Sequence, residues 1–165
     1  MDVYLVRHAI AHERNSTRWP NDALRPLTTA GMRKFRKAAA GLARCVPKAA
    51  AVFTSPYVRA RETAAILAES AKFKTAVESA ELVPGKTPHA VFDLLRARRR
   101  SAVVLVGHEP DLSAWVSAAL AVEPSRIKSE FKKGGAACIR FEKTIGPGAA
   151  TLVWLLPPRI LRAMR

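Results

Sequence analysis

The sequence contains few cysteines, few acidic residues and no long apolar run. Its two cysteines, Cys45 and Cys138, lack Cys-x-x-Cys spacing, which excludes a disulfide framework and a four-cysteine zinc site. We expect both to be small buried hydrophobic residues. No apolar segment approaches the roughly 18 residues of a membrane span, and residues 1–7 lack the basic start and cleavage site of a signal peptide. We therefore expect a cytoplasmic protein that has no membrane partner.

Acidic side chains are far outnumbered by basic ones. The 28 lysines and arginines against 13 aspartates and glutamates give a formal net charge of +15. Such a charge attracts anions: nucleic acid, acidic membranes, phosphorylated ligands or acidic proteins. The most basic run, residues 96–100, follows a predicted helix, and cations at a helix C-terminus interact favourably with its dipole. We interpret this run as a solvated helix end and do not expect nucleic acid as a partner.

Length and composition are those of one globular domain. The 165 residues are 49% hydrophobic and 25% charged, and a chain of this length buries about two-thirds of its surface on folding. No internal repeat or low-complexity linker divides it. We expect a single domain that spans residues 1–165.

Short apolar runs alternate with segments of helical periodicity. The predicted strands cover residues 4–6, 51–53, 102–106, 136–142 and 150–156. The predicted helices begin at Thr28 or Thr29, at Ser55-Pro56, at Thr87-Pro88 and at Pro110. Pro157-Pro158 ends the last strand and leaves a short basic tail. The alternation indicates an α/β fold, a three-layer sandwich with a mainly parallel central sheet and helices on both faces.

Polar residues suited to phosphate binding follow three of the predicted strands. They are Arg7-His8 after the first, Thr54-Ser55 and then Arg59 after the second, and Gly107-His108-Glu109 after the strand at 102–106. Because parallel strands bring their carboxyl ends to one edge of a sheet, we expect both histidines and both arginines to converge on one pocket. Arg25, in the loop before the first helix, is placed to close over that pocket.

Arginine and histidine in this arrangement are typical of phosphoryl transfer. Guanidinium groups offer paired donors that match the oxygens of a phosphoryl group. They also disfavour the protonated form of a nearby imidazole, which stays neutral and nucleophilic and can carry the phosphoryl group covalently. Since the arginines supply positive charge, we expect no metal and no other cofactor. His8 and His12 are four residues apart but lack a third zinc ligand.

Four ordered sequence blocks resemble the histidine phosphatase superfamily. They are LVRHA at 5–9, LRPLTTAG at 24–31, TSPYVRARET at 54–63 and VGHEP at 106–110. The short length and the Arg-Pro-Leu-Thr segment resemble the SixA-type phosphohistidine phosphatases most. The resemblance implies a phosphoglycerate mutase-like fold with His8 as the phosphorylated nucleophile. It also implies that Arg7, Arg59 and His108 bind the phosphoryl group, and that Arg25 is an additional phosphate-pocket arginine.

A proton donor for the leaving group has two candidates. Glu109 directly follows His108 and resembles the His-Asp pair of the acid phosphatase branch, whereas Glu81 lies upstream. A leaving imidazole, with a pKa near about 6.5, departs with far less help than an alkoxide. We therefore expect the substrate to be a protein phosphohistidine, such as one on a histidine phosphotransfer domain, carried by a protein whose acidic surface the basic chain attracts.

Two other functions fit the sequence. One is a phosphatase of small phosphomonoesters, such as sugar or nucleotide phosphates, although this short chain leaves little room for a lid over a small ligand. The other is a basic module that binds polyanions without catalysis. Binding by such a module depends steeply on salt and survives the loss of His8.

Overall fold

Six strands form one sheet in the part of the chain that the structure describes. The computed structural model describes residues 1–47, 50–98, 100–123 and 127–164. The strands are β1 (Asp2–Arg7), β2 (Ala51–Thr54), β3 (Val77–Glu78), β4 (Ala102–Gly107), β5 (Ala136–Phe141) and β6 (Ala150–Leu156). The helices are α1 (Thr29–Leu42), α2 (Val58–Ala71), α3 (Pro88–Ala97), α4 (Asp111–Leu120) and α5 (Pro158–Ala163), with 3₁₀ turns at Asp22–Leu24 and Ala80–Leu82.

The sheet is mainly parallel, as expected. Its order is β3-β2-β4-β1-β5-β6. The first four strands pair in parallel, whereas β5 is antiparallel to both β1 and β6. Every residue of β4 is buried, which is typical of a central parallel strand covered on both faces.

Alternate side chains of the central strands face two separate cores. Tyr4 and Val6 of β1 pack with α1, α2 and Leu161 of α5. Val3 and Leu5 of the same strand pack with α3 and α4 on the opposite face. Successive strand residues point to opposite faces of a sheet, so β1 contributes to both cores. The three-layer sandwich predicted from the sequence is confirmed.

Most helix starts are confirmed. Thr28 caps α1, and its hydroxyl accepts a hydrogen bond from the Gly31 amide at 2.9 Å. Pro88 stands in the first turn of α3, directly after Thr87, and α4 begins directly after Pro110. The basic run at 96–100 begins in the last turn of α3, at the C-terminal end of the helix as expected, and its residue 99 lies outside the described residues.

The helix start at Ser55-Pro56 is wrong, because α2 begins at Val58 with Tyr57 as its N-cap. The Ser55 amide donates a hydrogen bond to the Val106 carbonyl of β4 at 3.0 Å. Residue 55 therefore still belongs to the sheet edge, and the chain turns into the helix only afterwards.

Two further expectations need correction. The expected basic tail after β6 contains α5, whose Leu161 is fully buried against α1. Cys138 is buried as expected, but Cys45 is only partly buried. None of the described helices is long and apolar enough to cross a membrane.

We expect Gly41→Ala to destabilise the fold, although alanine favours helices over glycine. A Cβ at position 41 of α1 meets the Leu161 carbonyl oxygen of α5 at 1.8 Å, so α5 must move. Overpacking of this kind costs about 1–3 kcal/mol, whereas the same change on a free helix surface stabilises by about 1 kcal/mol. Urea unfolding measures the sign of the change in the free energy of unfolding. Ala40→Gly in the same helix is the control for the effect of helix propensity. Stabilisation by Gly41→Ala would contradict the close contact between α1 and α5.

Candidate active site

The carboxyl ends of β1, β2 and β4 meet at one edge of the sheet. Arg7 lies opposite Gly107 in the parallel register, and the His8 amide donates to the Gly107 carbonyl at 3.0 Å. This register places His8 beside His108, with ring centroids 5.2 Å apart and both side chains buried. A cavity of about 650 Å³ is lined by all the pocket residues expected from the sequence: Arg7, His8, Arg25, Arg59, His108 and Glu109.

Hydrogen bonding determines the tautomer of His8. Its Nδ1 lies 2.7 Å from the Ala9 carbonyl oxygen. Since a carbonyl oxygen only accepts, Nδ1 carries the proton and Nε2 presents a lone pair. The Ala9 amide donates to the Thr63 hydroxyl at 3.0 Å, and that hydroxyl donates to the Arg59 carbonyl at 2.7 Å. Nε2 is therefore the ring nitrogen with the free lone pair, and hydrogen bonds connect the strand end that carries it to α2.

Both histidines of the cavity are held neutral. Burial is the largest cause and lowers the pKa of His8 to about 3, with further lowering by the nearby arginine charges. Burial likewise lowers the pKa of His108 to about 2, and the neighbouring His8 and Arg59 lower it further. The sequence indicated neutrality through arginine charge alone, whereas burial contributes more.

Arg7 is oriented through contacts that begin at Glu109. The Nη1 of Arg7 donates to the Phe131 carbonyl. The Phe131 amide donates to Glu109 Oε1 at 2.9 Å. Ser113 donates to Oε1 from its hydroxyl at 2.6 Å and to Oε2 from its amide at 3.2 Å. Both oxygens of Glu109 therefore act as acceptors, and Glu109 anchors the segment that orients Arg7.

Arg59 and Arg25 reach the cavity from α2 and from the loop before α1. Arg59 is 4% exposed, and its guanidinium carbon lies 4.9 Å from the centre of the Tyr57 ring. Arg25 directly follows the 3₁₀ turn at 22–24, and its Nη1 donates to the His12 carbonyl at 2.6 Å. Burial lowers the pKa of Arg59, which shows the cost of placing a cation there.

Asp22 connects these two arginines, and sequence reasoning missed it. Its Oδ1 accepts from Arg25 Nε at 2.8 Å, and its Oδ2 lies 3.1 Å from Arg59 Nη2. Its main-chain carbonyl accepts from Arg59 Nη1 at 2.8 Å. The three-residue spacing of Asp22 and Arg25 was an available signal, because it brings side chains together within a helical turn. Nothing in the sequence linked Asp22 to Arg59, 37 residues away.

Glu81, one of the two acids expected from the sequence, does not line the cavity that contains His8. Its carboxylate accepts a hydrogen bond from the Ser79 hydroxyl. It instead lines a smaller cavity that also contacts Trp115. His108 and Asp111 line that smaller cavity as well, whereas His8 does not.

Asp111, at the start of α4, is a further carboxyl group that sequence reasoning missed. It lines both cavities. Burial raises the pKa of Asp111, and the charge of Glu109 raises it further. Its Oδ1 accepts from the Gly85 amide at 3.2 Å, while its Oδ2 is buried without a hydrogen-bond partner among the described residues. A proton on Asp111 reduces the cost of that burial.

Charges around the cavity favour an anion over a cation. The cationic side chains that line it are Arg7, Arg14, Arg25, Arg59 and Lys133. Within residues 1–47, 50–98, 100–123 and 127–164, no group of three or more His, Cys, Asp or Glu side chains is arranged to hold a metal ion. Paired guanidinium donors suit a phosphoryl group.

Comparisons with known proteins identify the family. Residues 3–86 match the model of the histidine phosphatase superfamily, branch 1. An uncharacterized protein of Picosynechococcus sp. is 34% identical over 131 residues, covering 72% of each chain. The structure of the protein histidine phosphatase SixA complexed with tungstate superposes with a TM-score of 0.82 at 26% identity, covering 98% of this chain and 99% of that one. A SixA structure from Agrobacterium tumefaciens gives a TM-score of 0.74 at 25% identity, with coverages of 95% and 97%. Together with the fold, these matches show that the chain belongs to the histidine phosphatase superfamily.

Proposed function

We propose that this chain removes phosphate from phosphohistidine side chains of proteins, and that His8 carries the phosphoryl group between two half-reactions. The observation that supports this most is the free Nε2 of a neutral His8 in a cavity lined by four arginines and His108. Similarity to the protein histidine phosphatase SixA over nearly the whole chain supports the substrate class.

In the first half-reaction, His8 Nε2 attacks the phosphorus of the bound substrate. The guanidinium groups of Arg7, Arg25 and Arg59 donate hydrogen bonds to the phosphoryl oxygens, and neutral His108 donates another. The bond between Nε2 and phosphorus forms as the bond between phosphorus and the substrate nitrogen breaks. Because the substrate ring is protonated on its other nitrogen, it leaves as neutral imidazole. The arginines supply the positive charge that many phosphoryl-transfer enzymes take from metal ions.

In the second half-reaction, water attacks the same phosphorus. The bond between phosphorus and His8 Nε2 breaks, and its electron pair returns to the imidazole. The product is dihydrogen phosphate, which contains both protons of the attacking water and then exchanges protons with solvent. The Ala9 carbonyl accepts from Nδ1, so it stabilises the positive ring of phosphorylated His8 and keeps the same nitrogen reactive in each cycle.

Leaving groups other than imidazole need a proton, and two carboxyl groups line the cavity beside α4. Glu109 is one of the two candidate donors from the sequence, but its oxygens already accept from Ser113 and Phe131. Asp111 has the raised pKa and an unpaired buried oxygen. We therefore propose that Asp111 donates the proton to an alkoxide leaving group. Glu109 instead positions Arg7.

His8→Ala is expected to lower turnover of a phosphohistidine protein by about three orders of magnitude or more, because it removes the nucleophile. Wild-type protein quenched without acid during turnover of labelled substrate is expected to carry base-stable, acid-labile label on His8. His89→Ala, at an exposed histidine outside the cavity, is the matched control and should retain turnover. Label on another residue, or full activity of His8→Ala, would contradict the assignment.

Asp111→Asn is expected to slow hydrolysis of an alkyl phosphate ester about a hundredfold, since an alkoxide needs a proton donor. It should slow phosphohistidine hydrolysis less than about threefold, because neutral imidazole leaves unaided. Glu109→Gln should slow both substrates alike, because it disturbs the contacts that orient Arg7. The measurement is kcat for both substrates with each variant. Equal losses in Asp111→Asn would contradict the assignment, and faster wild-type turnover of small esters than of phosphohistidine would favour a small-molecule phosphatase.

Both cavity histidines are expected to stay neutral from pH 8 to pH 5, because burial lowers their pKa. An unfolded histidine titrates near about 6.5, so the unfolded chain gains protons below that pH that the folded chain does not. The free energy of unfolding should then fall on acidification, by up to about 1.4 kcal/mol per pH unit for each histidine. Ring nitrogen shifts from NMR test the protonation, and urea unfolding at pH 7 and pH 5 tests the stability. A ring transition near pH 6.5 would refute the neutral pair.

A further inference from the structure

Asp22 contacts two of the arginines that would bind the phosphoryl group. Its carboxylate lies 2.8 Å from Arg25 Nε and 3.1 Å from Arg59 Nη2, and these arginine side chains are only 10% and 4% exposed. The Asp22 carbonyl accepts a hydrogen bond at 2.8 Å from Nη1, the other terminal nitrogen of Arg59. One residue therefore contacts both guanidinium groups, through three of its oxygen atoms.

Two buried guanidinium groups repel each other, and Asp22 opposes that repulsion. The charge of Arg25 lowers the pKa of Arg59, next to the larger effect of burial, whereas the charge of Asp22 raises it. The hydrogen bond from Arg25 in turn lowers the pKa of Asp22, and the charge of Arg59 lowers it too. Asp22 is therefore ionised at neutral pH and acts as a counterion.

We propose that Asp22 is a positioning residue for phosphoryl transfer, which holds Arg25 and Arg59 in one orientation and offsets part of their charge. This inference rests on the proposed function of the cavity. Asp22 occupies one edge of each guanidinium group and leaves other donors for the substrate. Arg25, for example, uses Nε and Nη1 in hydrogen bonds to Asp22 and His12, and its Nη2 has none among the described residues.

Loss of the carboxylate therefore has opposite effects on ground-state binding and on catalysis. An inorganic phosphate ion adapts to arginines that have moved, and it binds more tightly once a nearby negative charge is gone. The transition state needs donors at defined positions, and small displacements of positioning groups cost up to about a hundredfold in rate. A merely structural defect would weaken both binding and turnover.

The test is Asp22→Asn, which keeps the size of the side chain and removes its charge. We expect the Kd for inorganic phosphate, measured by calorimetry, to fall about tenfold. We expect kcat for a phosphohistidine protein to fall about ten- to a hundredfold. An unchanged kcat, or an unchanged or weaker phosphate affinity, overturns the proposal. Calorimetry reports on folded protein, so a variant that binds phosphate is also shown to be folded.

Glu13→Gln is the matched control for charge. Glu13 is an exposed carboxylate that lines the same cavity, and no ion pair with Arg25 or Arg59 holds it among the described contacts. We expect both the Kd for phosphate and kcat to change less than about twofold. Equal effects of Glu13→Gln and Asp22→Asn overturn the proposal, because the loss of any negative charge in the cavity would then explain them.

A double variant tests whether Asp22 acts through the arginine. In an Arg25→Ala background, Asp22→Asn should lower kcat by a smaller factor than in wild type, since one of its two partners is already gone. Equal factors in both backgrounds overturn the proposal. If wild-type protein turns over no phosphohistidine, the proposed function fails, while the phosphate Kd of Asp22→Asn still tests the contact with the arginines.

Discussion

The parallel pairing of β1 with β4 determines where chemistry can take place. Arg7 lies opposite Gly107, so the chain leaves both strands with a histidine at the same level of the sheet. A register slip of one residue turns a side chain to the opposite face. The Gly134 amide also contacts the carbonyls of Arg7 and His8, at 3.2 and 3.1 Å. Gly134 has a φ of +79°, and a Cβ there meets Phe35 at 3.1 Å, so this contact depends on glycine.

Placing three guanidinium groups, two of them buried, around two buried imidazoles is costly, and hydrogen-bond acceptors of the fold offset part of that cost. The Phe131 carbonyl accepts a hydrogen bond from Arg7, and the His12 carbonyl accepts one from Arg25. Asp22 supplies a negative charge that contacts both Arg25 and Arg59. The arginines are thus held before any substrate arrives, which lowers the entropy lost on binding. Burial above all, and the charges of the arginines in addition, lower the pKa of His8 and favour its neutral form.

The sequence predicted those parts of the site that depend on local pattern. Buried strands ending in Arg7-His8 and Gly107-His108 could be recognised, and parallel topology implied that they meet. Asp22 could not be linked to Arg59, since only the tertiary fold brings them together. Asp111 gave no signal either, because its raised pKa depends on burial beside Glu109. The helix start at residue 55 failed for the opposite reason: a local capping rule was overridden by a hydrogen bond to β4.

Most of the excess positive charge of the chain lies outside the cavity. Five cationic and four carboxylate side chains line the cavity, whereas the whole chain carries a net charge of +15. Most of the excess charge therefore lies on surfaces that a small ligand inside the cavity does not touch. A small ligand interacts mainly with the modest positive excess inside the cavity, while an acidic macromolecule also interacts with the surrounding field. This distribution of charge supports our proposal that the substrate is a protein phosphohistidine rather than a small phosphomonoester.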